Sequence, residues 1–192
     1  MLNQMRLRSL ELHTSHRGLL LPTNRRPARD GFVRFLARKR EVHKQLDVGL
    51  PLTAKPQRDF VTDIEVDLWS LEYSPDAPPA VPDPFPCEYA EYLKTLSQAR
   101  LACHFYNVVF AQLVGGGLVV AREAAPVLPH KWLDVESQYF RPSATEAVVL
   151  RLRHDLEELG ATWTQAERDA CLAETPDAFF WGLRLNEEMF RP

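Results

Sequence analysis

Two features of the sequence could do chemistry. The first is His13, at the edge of an apolar stripe that Leu2, Met5, Ser9 and Leu12 form at helical spacing. A histidine placed so is either a core residue bonded to a carbonyl or a neutral imidazole able to ligate iron. His16 shares the stripe by periodicity, but it stands just before Arg17-Gly18, where the helix should be ending. The second feature is the run from Cys103 to Arg122, nearly all apolar and too long for an ordinary strand, which reads as a buried helix. Gly115, Gly116 and Gly117 interrupt it and together give up about 3 kcal/mol of helix propensity. Glycine's advantages are close approach of bare backbone to another body and freedom to bend. Two readings stay open. The run is one kinked helix lying over something flat, or it is two helices with the triplet as a turn between them.

The elements that must position these residues are helical throughout. Residues 1 to 14 carry the stripe ending at His13, and residues 17 to 29 read as a loop through Gly18, Pro22, Asn24 and Pro27. Asp30 suits the N-cap of a helix through Phe32, Phe35, Leu36, Val42 and Leu46, whose Arg38-Lys39-Arg40 run is expected to face solvent. After a connector at Leu50 to Lys55, the interval Arg58 to Leu71 places Phe60, Ile64, Leu68 and Leu71 on one face. Pro75, Pro78, Pro79, Pro82, Pro84 and Pro86 then forbid helix, so residues 72–86 read as an extended internal loop. A helix restarts near Cys87 with Tyr89, Tyr92 and Leu93. Pro126 and Pro129 interrupt the chain before Lys131-Trp132. Residues 143 to 159 turn Val148, Val149, Leu152, Leu156 and Leu159 inward, and Gly160 stops that helix. Thr164, with Glu167 three residues on, has the pattern of a capping box for the last helix. No strand alternation persists, so the expected class is all-α.

Composition narrows the function classes. The 192 residues, 45% apolar and 26% charged, suit one globular domain over 1–192. A net charge of −3 argues against a general nucleic-acid binder. Cys87, Cys103 and Cys171 are too few and too scattered for a disulfide framework or a CxxC metal site, which points to a reducing compartment. Asn107 and Gln112 interrupt the best apolar run and Arg122 closes it, so no transmembrane segment is expected. No signal or transit peptide is read ahead of the pattern that begins at Met1.

The order of the motifs says more than any one of them. Met5-Arg6 followed by Leu12-His13-Thr14, then Gly31-Phe32-x-Arg34-Phe35-Leu36, Tyr89-x-x-Tyr92-Leu93, Cys103-His104-Phe105-Tyr106-Asn107 ahead of the glycine run, and Trp163-Thr164-x-x-Glu167-x-x-x-Cys171-Leu172-x-Glu174-Thr175 resemble, in that order, the plant and algal heme oxygenases. The resemblance spans Met5 to about Phe180. It implies one all-α, heme-oxygenase-like domain that clamps heme, both substrate and cofactor, between its first helix and a glycine-rich distal helix.

The same resemblance implies roles and an activity. His13 would be the proximal iron ligand. Gly115 and Gly116 would bring distal backbone against the heme face, with Gln112 at a position where the family carries an acid or histidine that organises distal water. Tyr106 and Arg153 would bind heme propionates. The implied reaction opens heme at the α-meso carbon to biliverdin, carbon monoxide and ferrous iron, with dioxygen and electrons from ferredoxin, in the chloroplast stroma. The basic run at Arg38 to Arg40 is a candidate docking patch for that donor. Gln112 cannot act as an acid, Val109 replaces a family aromatic, and Gly117 replaces a basic residue. The alternative is therefore a non-catalytic relative, a tetrapyrrole carrier or a subunit of an organellar complex.

Overall fold

The computed structural model describes residues 1–15, 29–50, 59–72, 86–110, 113 and 146–191. No strand occurs among them. The helices are α1 (Leu2–Ser15), α2 (Arg29–Gly49), α3 (Phe60–Glu72), α4 (Glu88–Leu93) and α5 (Gln98–Phe105). A π-helical segment, Tyr106–Phe110, continues α5, and α6 (Glu146–Ala161), α7 (Gln165–Ala173), α8 (Thr175–Glu187) and a short 3-10 turn (Glu188–Phe190) follow. The protein is an all-α, heme-oxygenase-like helical domain.

The apolar spacing explains what each helix buries. On α1 the stripe Leu2, Met5 and Ser9 turns inward. On α3 Phe60, Ile64, Leu68 and Leu71 are all buried, and the Asp59 carboxylate caps the helix by accepting from the backbone N–H of Val61 (3.0 Å) and Thr62 (3.2 Å). Leu152 and Leu156 enter the core from α6. Thr164 makes the capping box of α7: its Oγ1 accepts from the Glu167 N–H, while its own N–H donates to the Glu167 carboxylate at 2.8 Å. The Val148 side chain of the expected α6 stripe and residues 73–85 of the proline-rich loop lie outside what is described, while Glu72, expected at the start of that loop, is the last residue of α3.

Helix α2 is the centre of the packing, in contact with α3, α4, α5, α8 and the 3-10 turn. Being surrounded, it differs from its sequence reading. Lys39 and Arg40 are buried, not solvent-facing. Three consecutive residues span most of a helical turn, so a helix enclosed on several sides cannot keep all three in water. Arg38 reaches Glu188 at 2.5 Å, Arg40 donates to Glu41 at 2.9 Å, and burial pulls the Lys39 ammonium down to about 7. Asp30 is the second residue of the helix, two past the N-cap place expected for it. Next to it, Gly31 has a reason to be glycine: a Cβ there would sit 2.6 Å from the Met189 carbonyl oxygen and 2.8 Å from that of Glu188. Gly160 is likewise not a stop signal, for α6 runs on to Ala161; a Cβ at Gly160 would meet the Met1 side chain.

Candidate functional site

Helix α1 presents Arg6, Leu10 and His13 along one outward face, at i, i+4 and i+7. His13 is the residue of interest. Its ring meets Phe179 of α8 edge-on, with centroids 4.9 Å apart, and the remaining faces of the imidazole stay accessible. Partial burial lowers its pKa, which favours the neutral ring that a metal requires. Among the described residues no three His, Cys, Asp or Glu side chains converge as a metal site.

Gly182 lies one turn beyond Phe179 on α8, and a Cβ added there would find no heavy atom of the described residues within 4 Å. The exposed His13 imidazole and the Phe179 edge thus stand together where α1 meets α8.

The second wall is the helix carrying Tyr106. Tyr106 opens the π-helical segment, is buried, and stacks on Phe110 at 5.4 Å between centroids. Burial raises its hydroxyl pKa while the charge of Arg6 opposes the rise, which places the guanidinium in the same neighbourhood. Asn107 fastens this wall to α1. Its Oδ1 accepts from Ser9 Oγ at 3.4 Å and its Nδ2 donates to the Cys103 carbonyl at 3.0 Å. A π turn is wider than an α turn and is frequent at functional sites. The bend expected of the glycine triplet is thus preceded by a helical irregularity at Tyr106–Phe110.

A buried polar network braces the distal helix from behind. Tyr89 Oη lies 2.7 Å from His104 Nδ1, and His104 Nε2 lies 2.9 Å from Glu174 Oε1. Glu174 also accepts from Tyr92 Oη (2.6 Å) and from Arg100 Nε (2.6 Å). Burial alone would raise the Glu174 carboxyl; the hydrogen bonds of His104, Tyr92 and Arg100 outweigh it and hold it at about 2. An ionised Glu174 can only accept, so in the neutral imidazole Nε2 carries the proton and Nδ1 accepts from Tyr89. The Trp181 ring stacks on Tyr89 (5.1 Å) and Tyr92 (5.5 Å), closing the network off.

Of the sequence-derived residues, His13 and Tyr106 fall on the two walls joined by Ser9 and Asn107. Val109 is buried beside Tyr106. Gln112, Gly115, Gly116 and Gly117 lie outside the described residues. Arg153 is exposed on α6, which meets α1 at its opposite end, where Leu2 N donates to Glu157 at 3.2 Å. The described contacts bring Arg153 to neither His13 nor Tyr106. The sequence reading missed Arg6, Phe179, Gly182 and the Glu174 network. Arg6 was readable as the residue two helical turns before His13. Glu174 was readable as an acid within an otherwise inward-facing Cys171-Leu172-x-Glu174-Thr175 stretch.

An all-α arrangement with an exposed imidazole on its first helix is consistent with a heme-oxygenase-like domain. Comparison with known proteins agrees, although no family model matches the chain. It is 28% identical over 174 residues to heme oxygenase 1, chloroplastic, of Oryza sativa subsp. japonica, covering 85% of this chain and 59% of that protein. It is 27% identical over 163 residues to heme oxygenase 1, chloroplastic, of Arabidopsis thaliana, covering 80% and 57%. A third relative, 27% identical over 166 residues and covering 80% and 48%, is the probable inactive heme oxygenase 2, chloroplastic, of Oryza sativa subsp. japonica. The chain is related to the plant-type heme oxygenases and spans between about half and three-fifths of their length.

Proposed function

We propose that this protein is a heme oxygenase, a single domain over residues 1–192 that binds heme between α1 and the distal helix. The observation that carries the reading is His13, an accessible imidazole with a lowered pKa, set against Phe179 beside the open helix surface at Gly182. Heme, as substrate, supplies the iron at which dioxygen is reduced by electrons from ferredoxin, and the products are biliverdin, carbon monoxide and ferrous iron. His13 holds the iron through one ring nitrogen while Phe179 fixes the plane of the ring. Arg6 and Tyr106 offer a cation and a hydroxyl for a propionate, a charge-assisted pairing suited to a guanidinium. Arg153 is a second propionate candidate. Gly115 and Gly116 allow distal backbone close to the porphyrin face, which steers attack to the α-meso edge, and Gln112 donates and accepts in the distal water structure. The relatives' names suggest a plastid address.

One set of residues favours a second reading. Val109, Gln112 and Gly117 depart from the family pattern, and one relative is named probable inactive. On that reading the protein binds tetrapyrrole without turning it over, or serves as a subunit of an organellar complex.

Titration of the purified protein with hemin separates these readings, followed by ferredoxin, ferredoxin reductase and NADPH, with His13→Ala in parallel. The expected result is a sharp Soret band that needs His13 and decays into a broad bilin band. A stable band would replace the oxygenase reading with the carrier reading. Absence of any specific Soret band would overturn heme binding altogether.

A further inference from the structure

The back of α8 carries a cavity that the heme reading does not use. Trp181, Arg184, Leu185 and Glu188 recur at i, i+3, i+4 and i+7 along α8 and into the 3-10 turn, so they share one stripe. At about 100° per residue that stripe lies on the far side of the helix from Phe179, the residue that meets His13. Together with Arg38 of α2 and the start of α4, it lines a cavity of about 470 Å³, a size usual for small-molecule sites.

Charges of both signs line this cavity, and they fall into two sets. The first is closed on itself. Glu188, 3% exposed, pairs at once with Arg38 Nη1 (2.5 Å) and Arg191 Nη1 (2.7 Å). A guanidinium has more N–H donors than one carboxylate oxygen uses, so this set keeps a net positive charge and unspent Nη groups. The second set is open. The Arg184 guanidinium lies over the Trp181 ring, 5.2 Å from its centroid, a contact that holds the group without using its N–H donors. Among the described residues Arg184, Glu88 and Glu187 make no hydrogen bond or ion pair, and all three are exposed. Opposite charges that line one cavity without pairing leave room for a third body that carries both signs.

We propose that this cavity binds a small zwitterion, the ammonium carboxylate of an amino acid or dipeptide. Arg184 takes the carboxylate, helped by the Nη groups that Arg38 and Arg191 do not spend on Glu188. Glu88 and Glu187 take the ammonium, and the body of the ligand lies beside the half-buried Trp181. A ligand of one sign answers only half of the lining: a bare anion is repelled by Glu88 and Glu187, a bare cation by the guanidiniums. The site stands apart from the proposed heme site, on the other side of α8.

The test is calorimetric titration of the full chain with L-phenylalanine and with glycyl-L-phenylalanine at low salt. N-acetyl-L-phenylalanine, which lacks the ammonium, and L-phenylalanine methyl ester, which lacks the carboxylate, are titrated alongside. The free amino acid or the dipeptide should bind at one site, and capping either end should weaken L-phenylalanine by roughly tenfold or more. Arg184→Gln and Glu187→Gln replace exposed side chains and leave the core untouched. Each should weaken the uncapped ligand by a similar factor. Arg184→Gln should leave the methyl ester unaffected, and Glu187→Gln should leave the N-acetyl form unaffected, because each capped ligand already lacks the group that the substitution deprives of its partner. Binding of the N-acetyl form as tight as that of L-phenylalanine would make this an anion site and overturn the proposal. So would equal binding of the methyl ester, affinity unmoved by Arg184→Gln, or no binding of either uncapped ligand at millimolar concentration.

Discussion

Replacing Glu174 by glutamine tests whether the buried network or ordinary apolar packing holds the distal helix in place. The substitution keeps the shape of the side chain and removes its charge. In the native protein the carboxylate accepts from His104 (2.9 Å), Tyr92 (2.6 Å) and Arg100 (2.6 Å) while 2% exposed. A glutamine can accept at one oxygen only, and its amide would point a donor at another donor, either Arg100 or the His104–Tyr92 side. Breaking one partner of a buried, charge-assisted set costs about 3–5 kcal/mol. For a chain of 192 residues that corresponds to a fall in Tm of roughly 6–20 °C. The assay is urea unfolding followed by circular dichroism, repeated across acid pH. The sign follows from the direction of the shift. A carboxyl lowered from 4.5 to about 2 contributes stability that is fully present above the unfolded value and is lost as pH falls through the folded one. Wild type should therefore lose about 3 kcal/mol between about pH 4.5 and pH 2 that the Glu174→Gln variant does not lose. If the variant unfolds within 1 kcal/mol of wild type, or both chains share one acid profile, the network is not what fixes this helix.

The glycines supply a contrasting pair. Gly31→Ala drives a methyl against the carbonyls of Glu188 and Met189, groups that cannot rotate away, and should destabilise by about 1–3 kcal/mol in urea unfolding. Gly182→Ala meets no heavy atom of the described residues and should stabilise the ligand-free protein by up to about 1 kcal/mol, while weakening hemin binding in a titration, because its methyl occupies the space proposed for the porphyrin. Thr164→Ala removes the capping box of α7 and should cost about 1 kcal/mol by the same unfolding assay, with no effect on the hemin Soret band.

How much was legible in the sequence depended on whether a residue's role is set locally. The α3 stripe and the Thr164–Glu167 cap were both readable, because periodicity and capping are matters of three or four residues. The α1 stripe was readable for the same reason and brought His13 with it. Lys39 and Arg40 were misread because burial of a charged side chain depends on what packs around α2, and no window along the chain contains that. Gly160 was read as the end of its helix, which runs one residue on to Ala161. The pairing of His104 with Glu174 crosses about seventy residues of sequence, so spacing rules could not find it. His13 was singled out by motif; Phe179, which holds its ring, is a contact only the fold reveals.

The widened turn at Tyr106–Phe110 has an evolutionary side. A π turn is an α-helix that has accepted one residue too many, and the helix tolerates the surplus by bulging rather than by unwinding. Removing any one residue from that stretch would restore regular hydrogen bonding, and the straightened helix would gain intrinsic stability. Because the bulge itself absorbs the surplus residue, what the deletion would take away is the widened turn that carries Tyr106, not the facing of the helix beyond it.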